Sequence, residues 1–265
     1  MNAERVINPF AAPDTPSVFF REETVSTMLD AVELARAGKF GSVAVAAYQS
    51  GGRGRRSDRT WLCPPGEGLL FTLALGIAPR STPSSASIDP LVVRPETLPL
   101  RAGLALARVL EHDYHLAPQI KWPNDVLIEG RKCAGILCEM RAGYALVAMG
   151  VNVGARAVPP ETSQRTPATS LALCLEASPE HEQLLSHILR ELSLVNADAG
   201  WRFEIERRMY RRGSDVQFLP DGNASADRKP IFGTLVGIDE AGRITIETAH
   251  GAVRRSYTSG ELLIP

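Results

Sequence analysis

The segment 121–125 (Lys-Trp-Pro-Asn-Asp) constrains the fold most strongly, because its polar side chains come directly after the apolar run 117–120. Pro123 fixes its own φ and favours an extended conformation before it, so the chain turns at Asn124 and Asp125 without losing a donor in mid-strand. Residues 126–128 and 131–139, joined by Glu129-Gly130, then have the pattern of a tight hairpin. The sequence therefore predicts polar groups at the end of a buried strand.

The hairpin brings chemistry to one point. It is expected to return Lys132 to the side of Lys121 and Asp125. Two ammonium groups and a carboxylate close together indicate an anionic substrate with a metal ion. For either lysine alone, an ordinary surface position explains the sequence equally well.

Charge and hydropathy exclude several classes of protein. The 265 residues are 44% hydrophobic, enough for a sizeable core, and the net charge of -1 gives no general attraction to nucleic acid or to anionic membranes. No apolar run approaches the roughly 20 residues that span a bilayer, and the amino end lacks the apolar core of a signal peptide. We expect a cytoplasmic protein that does not bind membranes.

Cysteines are too sparse for a disulfide scaffold and form no paired Cys-x-x-Cys motif. Cys133 and Cys138 lie among apolar residues and are better explained as small buried side chains than as metal ligands.

Element patterns suggest two domains after a flexible arm at residues 1–16. Helices are predicted from Ser26 or Thr27 to Gly38 and over 98–115, 181–194 and 201–212, and strands over 42–48, 69–75 and 144–151. Residues 81–96 have no periodicity and are predicted to be an exposed insertion. Short strands at 231–236, 244–248 and 253–257 alternate with turns, as in a small all-β barrel. We predict domains at 17–213 and 214–265.

A loop rich in glycine and arginine covers residues 49–61 and lacks hydrophobic periodicity. Glycines let backbone amides approach a phosphate and arginines provide planar donor forks, so the loop suits a phosphate ester. A solvated surface loop and an RNA-binding patch are the alternatives, although the aromatic residues typical of single-strand binders are missing.

Several motifs together resemble the biotin protein ligase family. They occur in the family's order: Ser26-Thr27-Met28, Gln49 with Gly52-Arg53-Gly54-Arg55, Trp61, the segments 121–125 and 132–137, Gly150-Val151-Asn152-Val153, Gly237-Ile238-Asp239 and Ser259-Gly260-Glu261. The resemblance implies an α+β fold, in which helices cover a mixed sheet of the class II synthetase-like type, followed by an SH3-like β-barrel. Because the arm is too short for the DNA-binding domain of some members, the resemblance is to the form that lacks it.

Site residues follow from the same resemblance. It implies catalytic roles for Lys132, Arg55 and Lys121, and magnesium binding by Asp125. It implies biotin binding by Ser26, Thr27, Met28, Gln49, Arg53, Gly54, Arg55, Lys132 and Gly135. It implies ATP binding by Trp61, Asn124, Asp125, Lys132 and Asn152. Ser26 and Thr27 alone would be read as an ordinary helix cap, and Glu261 is expected to be structural.

The implied activity is ATP- and Mg²⁺-dependent formation of biotinyl-5'-adenylate, followed by transfer of biotin to a lysine of a biotin carboxyl carrier domain. The alternatives are a lipoate or octanoate ligase or transferase of the same fold and a non-catalytic biotin sensor. No DNA partner is expected. The family's loop pattern has a second glycine, whereas here the segment from Arg56 to Trp61 is one residue longer and carries Ser57-Asp58.

Overall fold

The structure is a computed structural model that describes residues 1–12, 16–56, 59–76, 95–141, 143–158, 167–221, 229–248 and 253–263. Ser57, Asp58, the predicted insertion up to residue 94 and the turn between the predicted strands 244–248 and 253–257 lie outside this part of the chain.

A seven-stranded mixed sheet forms the larger part of the molecule, in the order β1-β2-β3-β7-β6-β5-β4. Only β1 and β2 run parallel, and the other neighbours are antiparallel. The strands are β1 (Val18–Thr24), β2 (Val43–Gln49), β3 (Gly68–Gly76), β4 (Pro118–Lys121), β5 (Asp125–Ile128), β6 (Arg131–Arg141) and β7 (Tyr144–Asn152).

Helices cover both faces of this sheet. They are α1 (Thr27–Arg36), α2 (Leu98–His112), α3 (Leu171–Cys174), α4 (His181–Ala197) and α5 (Trp201–Arg208). Helix α1 places Met28, Ala31 and Ala35 against Ala44 of β2, whereas the neighbouring Val43 belongs to the cluster under α2 and α4. Successive strand residues point to opposite faces of a sheet, so α1 lies on one face and α2 and α4 lie on the other.

Helix α1 starts where the sequence predicts. Ser26 is the N-cap residue, and its hydroxyl oxygen accepts from the backbone N–H of Met28 at 3.3 Å. A serine oxygen satisfies one of the donors that a helix start leaves unpaired. The helix therefore presents its first turn at a fixed position beside the end of β2.

A second, antiparallel sheet follows in the order β11-β10-β9-β8-β12. Its strands are β8 (Asp215–Pro220), β9 (Ile231–Ile238), β10 (Ile244–Thr248), β11 (Val253–Tyr257) and β12 (Gly260–Leu263). The predicted α+β class, with helices on a mixed sheet and a small β unit after it, is confirmed.

The two sheets share one hydrophobic core. Phe218 of β8 is fully buried and meets the Trp122 ring edge-on, with 5.9 Å between the ring centres. The indole nitrogen of Trp122 donates to the carbonyl of Gly242 at 3.0 Å. The second sheet therefore fixes Trp122, which follows the catalytic candidate Lys121 in the chain. The proposed domain boundary between residues 213 and 214 thus divides two units that share one core.

Several details differ from the sequence-based expectations. Residues 1–12, expected in a flexible arm, contact the rest of the molecule: Phe10 is buried, and the Asn8 side chain donates to the carbonyl of Gly41 at 2.8 Å. Helix α5 ends at Arg208 rather than near 212, because Met209 forms a bridge to Ile120 at the edge of β4. The Trp122–Pro123 peptide is cis.

Candidate active site

The hairpin of β5 and β6 places the first group of candidate residues. Its two turn residues, Glu129 and Gly130, have φ values of 51° and 73°, the left-handed pair that two-residue hairpins with matching twist require. The pairing register shifts between Val126 and Leu127, which face Ala134 and Lys132, so Cys133 is the extra residue of a β-bulge in β6. The predicted hairpin is thus confirmed.

Lys132 and Asp125 meet across this hairpin. The Lys132 ammonium lies 2.7 Å from a carboxylate oxygen of Asp125, and both side chains are largely buried. Gly135 is the direct cross-strand neighbour of Asp125 and leaves the space that the lysine side chain crosses. A Cβ at Gly135 would lie 3.2 Å from the Lys132 nitrogen, so a side chain there would crowd the ion pair.

Backbone contacts hold Lys132 in position. Its N–H donates to the carbonyl of Pro167 at 2.7 Å, and its carbonyl accepts from the N–H of Thr169 at 2.9 Å. Asn152, at the end of β7, donates its side-chain amide to the carbonyl of Thr169 at 3.0 Å. Asn152 therefore holds the segment that fixes Lys132. Asn152, Lys132 and Asp125 all border one cavity.

Lys121 lies beneath this ion pair. It is the cross-strand neighbour of Asp125 and is only 6% exposed. Burial lowers the pKa of the Lys121 ammonium, and the carboxylates of Asp125 and Glu261 oppose that effect. Two lysines and one carboxylate thus meet at one point, as the sequence predicted.

Asn124 stabilises the turn between β4 and β5. Its side-chain amide donates to the carbonyl of Ile136 at 2.7 Å, and its carbonyl accepts from the N–H of Ile136 at 2.9 Å. Asn124 therefore ties the turn to β6, and it also borders the cavity.

Trp61 covers the two strands next to the ion pair. Gly135 of β6 and Gly150 of β7 are paired in register, and a Cβ on them would lie 2.9 Å and 2.6 Å from the indole ring. Only glycine lets the ring approach both strands so closely. The Lys132 ammonium lies 5.6 Å from the centre of the ring.

The loop between β2 and β3 forms another wall. The Arg55 guanidinium donates to Asp221 at 3.2 Å and to the carbonyl of Gly260 at 2.7 Å. Arg59 donates to a carboxylate oxygen of Glu261 at 2.6 Å. The loop arginines therefore contact the second sheet, which the sequence did not predict.

Thr27 and Gln49 form a polar wall of the cavity near helix α1. The side-chain oxygen of Gln49 accepts from the backbone N–H of Thr27 at 2.8 Å and from its hydroxyl at 3.0 Å. The Thr27 hydroxyl also lies 2.8 Å from that of Thr72 in β3.

The candidate residues described above, apart from Thr72 and Asp221, border one cavity of about 520 Å³. Every site residue named from the sequence contributes to its lining: Ser26, Thr27, Met28, Gln49, Arg53, Gly54, Arg55, Trp61, Lys121, Asn124, Asp125, Lys132, Gly135 and Asn152. Their separate roles stay predictions. Arg53 is exposed, and its backbone pairs with Thr60.

Sequence reasoning missed several residues of the cavity wall. Glu261, expected to be structural, borders the cavity and binds Arg59, and its neighbour Leu262 also lines it. Glu261 belongs to the motif Ser259-Gly260-Glu261, but no local pattern places it or Leu262 at the cavity, because their place depends on strand β12 pairing with β8. Thr72 lies behind the wall rather than in it, and it carried a signal, since it interrupts an otherwise apolar strand.

Among the described residues, the site offers a metal ion only isolated carboxylates. Within the described ranges, no three His, Cys, Asp or Glu side chains are grouped as a metal site requires. Asp125 still suits magnesium, which typically takes one or two protein carboxylates and completes its shell with water and substrate phosphates.

The cysteines are free, and burial raises the pKa of Cys63 to about 11, as expected for a residue that packs rather than reacts.

Comparison with known proteins identifies relatives. The model described as the biotin/lipoate A/B protein ligase family matches residues 23–155, and that of the biotin protein ligase C-terminal domain matches residues 224–262. The bifunctional ligase/repressor BirA of Bacillus spizizenii is 27% identical over 226 residues, which cover 83% of this chain and 65% of that protein. The match thus spans slightly less than two thirds of that relative.

Two further comparisons cover most of both proteins. The biotin--[acetyl-CoA-carboxylase] ligase of Mycobacterium tuberculosis is 29% identical over 236 residues, covering 85% of this chain and 81% of that protein. The structure of the biotin protein ligase from Aquifex aeolicus in complex with biotin and ATP is 27% identical, with a TM-score of 0.72 over 93% of this chain and 97% of that one. No helix in the described part of the chain is long and apolar enough to cross a membrane. With the first model matching half of its length, this chain belongs to the biotin/lipoate A/B protein ligase family.

Proposed function

We propose that the protein is an ATP-dependent biotin protein ligase, which forms biotinyl-5'-adenylate and transfers biotin to a lysine of a biotin carboxyl carrier domain. The observation that carries this proposal is the meeting of Lys132, Lys121 and Asp125 in one cavity with the loop arginines and Trp61. Two similar proteins are named biotin ligases, and one of them was solved with biotin and ATP.

Two ends of the cavity suit the two ends of biotin. The polar group of Thr27 and Gln49 provides hydrogen bonds for a neutral ring. Lys132 and Arg55 provide cations for a carboxylate and the phosphate that reacts with it. Trp61, on its two glycines, offers a flat surface for the adenine base.

In the first step, an oxygen of the biotin carboxylate attacks the α-phosphorus of ATP. The new bond joins that oxygen to phosphorus, the bond to the bridging oxygen breaks, and pyrophosphate leaves with the electron pair. Negative charge grows on the phosphate oxygens, so Lys132 stabilises the transition state more than the ground state. Its fixed backbone keeps the ammonium in place without reorganisation.

Arg55 acts in the same step after exchanging partners. Its guanidinium is held by Asp221 and the carbonyl of Gly260, and a phosphate competes with them through its greater charge. Asn152 and Asn124 keep the nucleotide side of the cavity in shape through their bonds to the backbone.

Magnesium neutralises charge on the triphosphate when it is bound. Asp125 is the residue that we propose to hold it, and the same carboxylate orients Lys132. The second carboxylate of the region, Glu261, is engaged by Arg59.

In the second step, the neutral amine of the carrier lysine attacks the carbonyl carbon of the mixed anhydride. An amide bond forms, the bond to the phosphate oxygen breaks, AMP leaves, and the amine loses a proton. Lys132 and Arg55 stabilise the charge that returns to the phosphate. The loop limits water access to the anhydride, which water would otherwise hydrolyse.

The match of residues 224–262 to a biotin protein ligase domain favours biotin over lipoate or octanoate as substrate. The test is incubation with ATP, Mg²⁺ and either biotin or lipoate, together with an isolated biotin carboxyl carrier domain, read by mass spectrometry of the carrier. Biotinylation is expected, with little lipoylation. Equal or preferential lipoylation would overturn the substrate assignment, and no modification in either reaction would overturn the ligase assignment.

A further inference from the structure

A buried hydroxyl lies behind the polar end of the cavity. Thr72 is the only polar side chain of β3, is 0% exposed, and does not belong to the cavity lining. Its oxygen lies 2.8 Å from that of Thr27, which does line the cavity. A buried polar side chain in an apolar strand is costly unless it is hydrogen-bonded, so this contact explains how Thr72 is accommodated.

The orientation of the Gln49 amide follows from its neighbour. The backbone N–H of Thr27 can only donate, and it points at the Gln49 side chain from 2.8 Å. The atom that faces it must therefore be the oxygen. The amide nitrogen is turned the other way, toward Gly52, where a Cβ would lie 3.4 Å from it.

The direction of the hydroxyl bonds follows in turn. The Thr27 hydroxyl lies 3.0 Å from the same Gln49 oxygen, which has no hydrogen, so Thr27 must be the donor in that contact. A hydroxyl carries one hydrogen, and that of Thr27 is now used. Thr72 must therefore donate to Thr27, and the bonds run in one direction from Thr72 through Thr27 to Gln49.

We propose that Thr72 is a positioning residue: its hydroxyl donates to that of Thr27 and holds the Thr27 oxygen where it donates to Gln49 and borders the cavity. Because the Thr27 hydroxyl hydrogen is used by Gln49, Thr27 can offer a ligand only its oxygen as an acceptor. The N–H groups of Gln49 point away from Thr27 and can act as donors to the ligand. A ring with an N–H beside a carbonyl, as in a cyclic urea, matches this pattern, and a carboxylate does not. The assignment of biotin's ring to this end rests on the proposed function.

A double-mutant cycle tests the proposal, with biotin binding measured by titration calorimetry on the whole protein. Thr72→Val keeps the side-chain shape and removes the hydroxyl, and we expect it to weaken biotin binding about five- to tenfold, the effect of one buried hydrogen bond. Binding of ATP should not change. Thr72→Ser, which retains the hydroxyl, should bind biotin within about twofold of the unmodified protein.

The cycle separates positioning from packing. If Thr72 acts through Thr27, Thr72→Val should have little further effect in a Thr27→Val background. Equal losses in both backgrounds, an unchanged affinity of Thr72→Val, or equal weakening by Thr72→Ser would overturn the proposal. Should Thr72→Val fail to fold, Thr72→Ala replaces it in the same cycle. Failure of the unmodified protein to bind biotin would instead refute the proposed function.

Discussion

The corner of β4, β5 and β6 and the arginine loop between β2 and β3 bring charge to the same cavity in different ways. The corner is built from residues close in sequence: Lys121 and Asp125 are cross-strand neighbours, and Lys132 follows the turn. The loop is held by distant partners, since Arg55 contacts Asp221 and Gly260 of the second sheet. The corner is thus a rigid element of the sheet, whereas the loop depends on contacts that a ligand can replace.

The largest effect is expected from removing the support under the corner. Phe218→Ala deletes a fully buried ring that packs against Trp122, so it should lower the free energy of unfolding by about 3–5 kcal/mol. Chemical denaturation monitored by circular dichroism measures this. The control is Phe232→Ala on the neighbouring strand, where the side chain is 66% exposed and the loss should be small. Equal losses would show that the second sheet does not support the corner.

The next largest effect is expected from removing Lys132, the cation of the corner that pairs with Asp125. If the proposed function holds, Lys132→Ala deletes the fixed positive charge that stabilises the reacting phosphate, so adenylate formation should fall by about a hundredfold or more, roughly 3 kcal/mol of transition-state stabilisation. Pyrophosphate release in the presence of biotin and ATP is the measurement. Arg131→Ala changes the adjacent, exposed cation and should have little effect. Near-normal pyrophosphate release by Lys132→Ala would remove this residue from the mechanism.

Weaker effects are expected at the loop's anchors. Glu261→Gln removes the charge that pairs with Arg59, a partly exposed ion pair worth about 0.5–1 kcal/mol. Amide hydrogen exchange over residues 51–56 should therefore accelerate a few-fold without ligand and slow markedly when biotin and ATP are added. Glu247→Gln, which breaks the exposed pair with Arg254, is the matched control. If Glu261→Gln leaves exchange unchanged, the anchor does not hold the loop.

The smallest effect at neutral pH concerns Lys121. Its pKa is lowered by burial, so it loses its proton at a lower pH than an exposed lysine does. If its charge assists catalysis, kcat/KM should decline on the alkaline side as pH rises through this lowered pKa. Lys121→Arg keeps its charge to higher pH and should therefore move the alkaline decline of kcat/KM to higher pH. Identical alkaline limbs would argue that another group sets the decline.

The same contrast explains what the sequence could predict. The hairpin and the cap at Ser26 depend on residues a few positions apart, and both were located from turn and capping preferences. Strands β8 and β12 were not predicted, because β12 has four residues and pairs with a strand some forty positions earlier in the chain. The role of Glu261 was missed for that reason. Nonlocal pairing sets its position, and a single sequence contains no direct signal of it.

The glycine pair beneath Trp61 also has a consequence for how the chain folds. The indole rests on Gly135 and Gly150, which become neighbours only when β6 and β7 have paired. Contacts between residues far apart in sequence form late, because the entropy of closing the intervening chain must first be overcome. Refolding should therefore complete the sheet before Trp61 docks. A nascent or recovering chain would acquire its secondary structure first and the Trp61 wall of its cavity last.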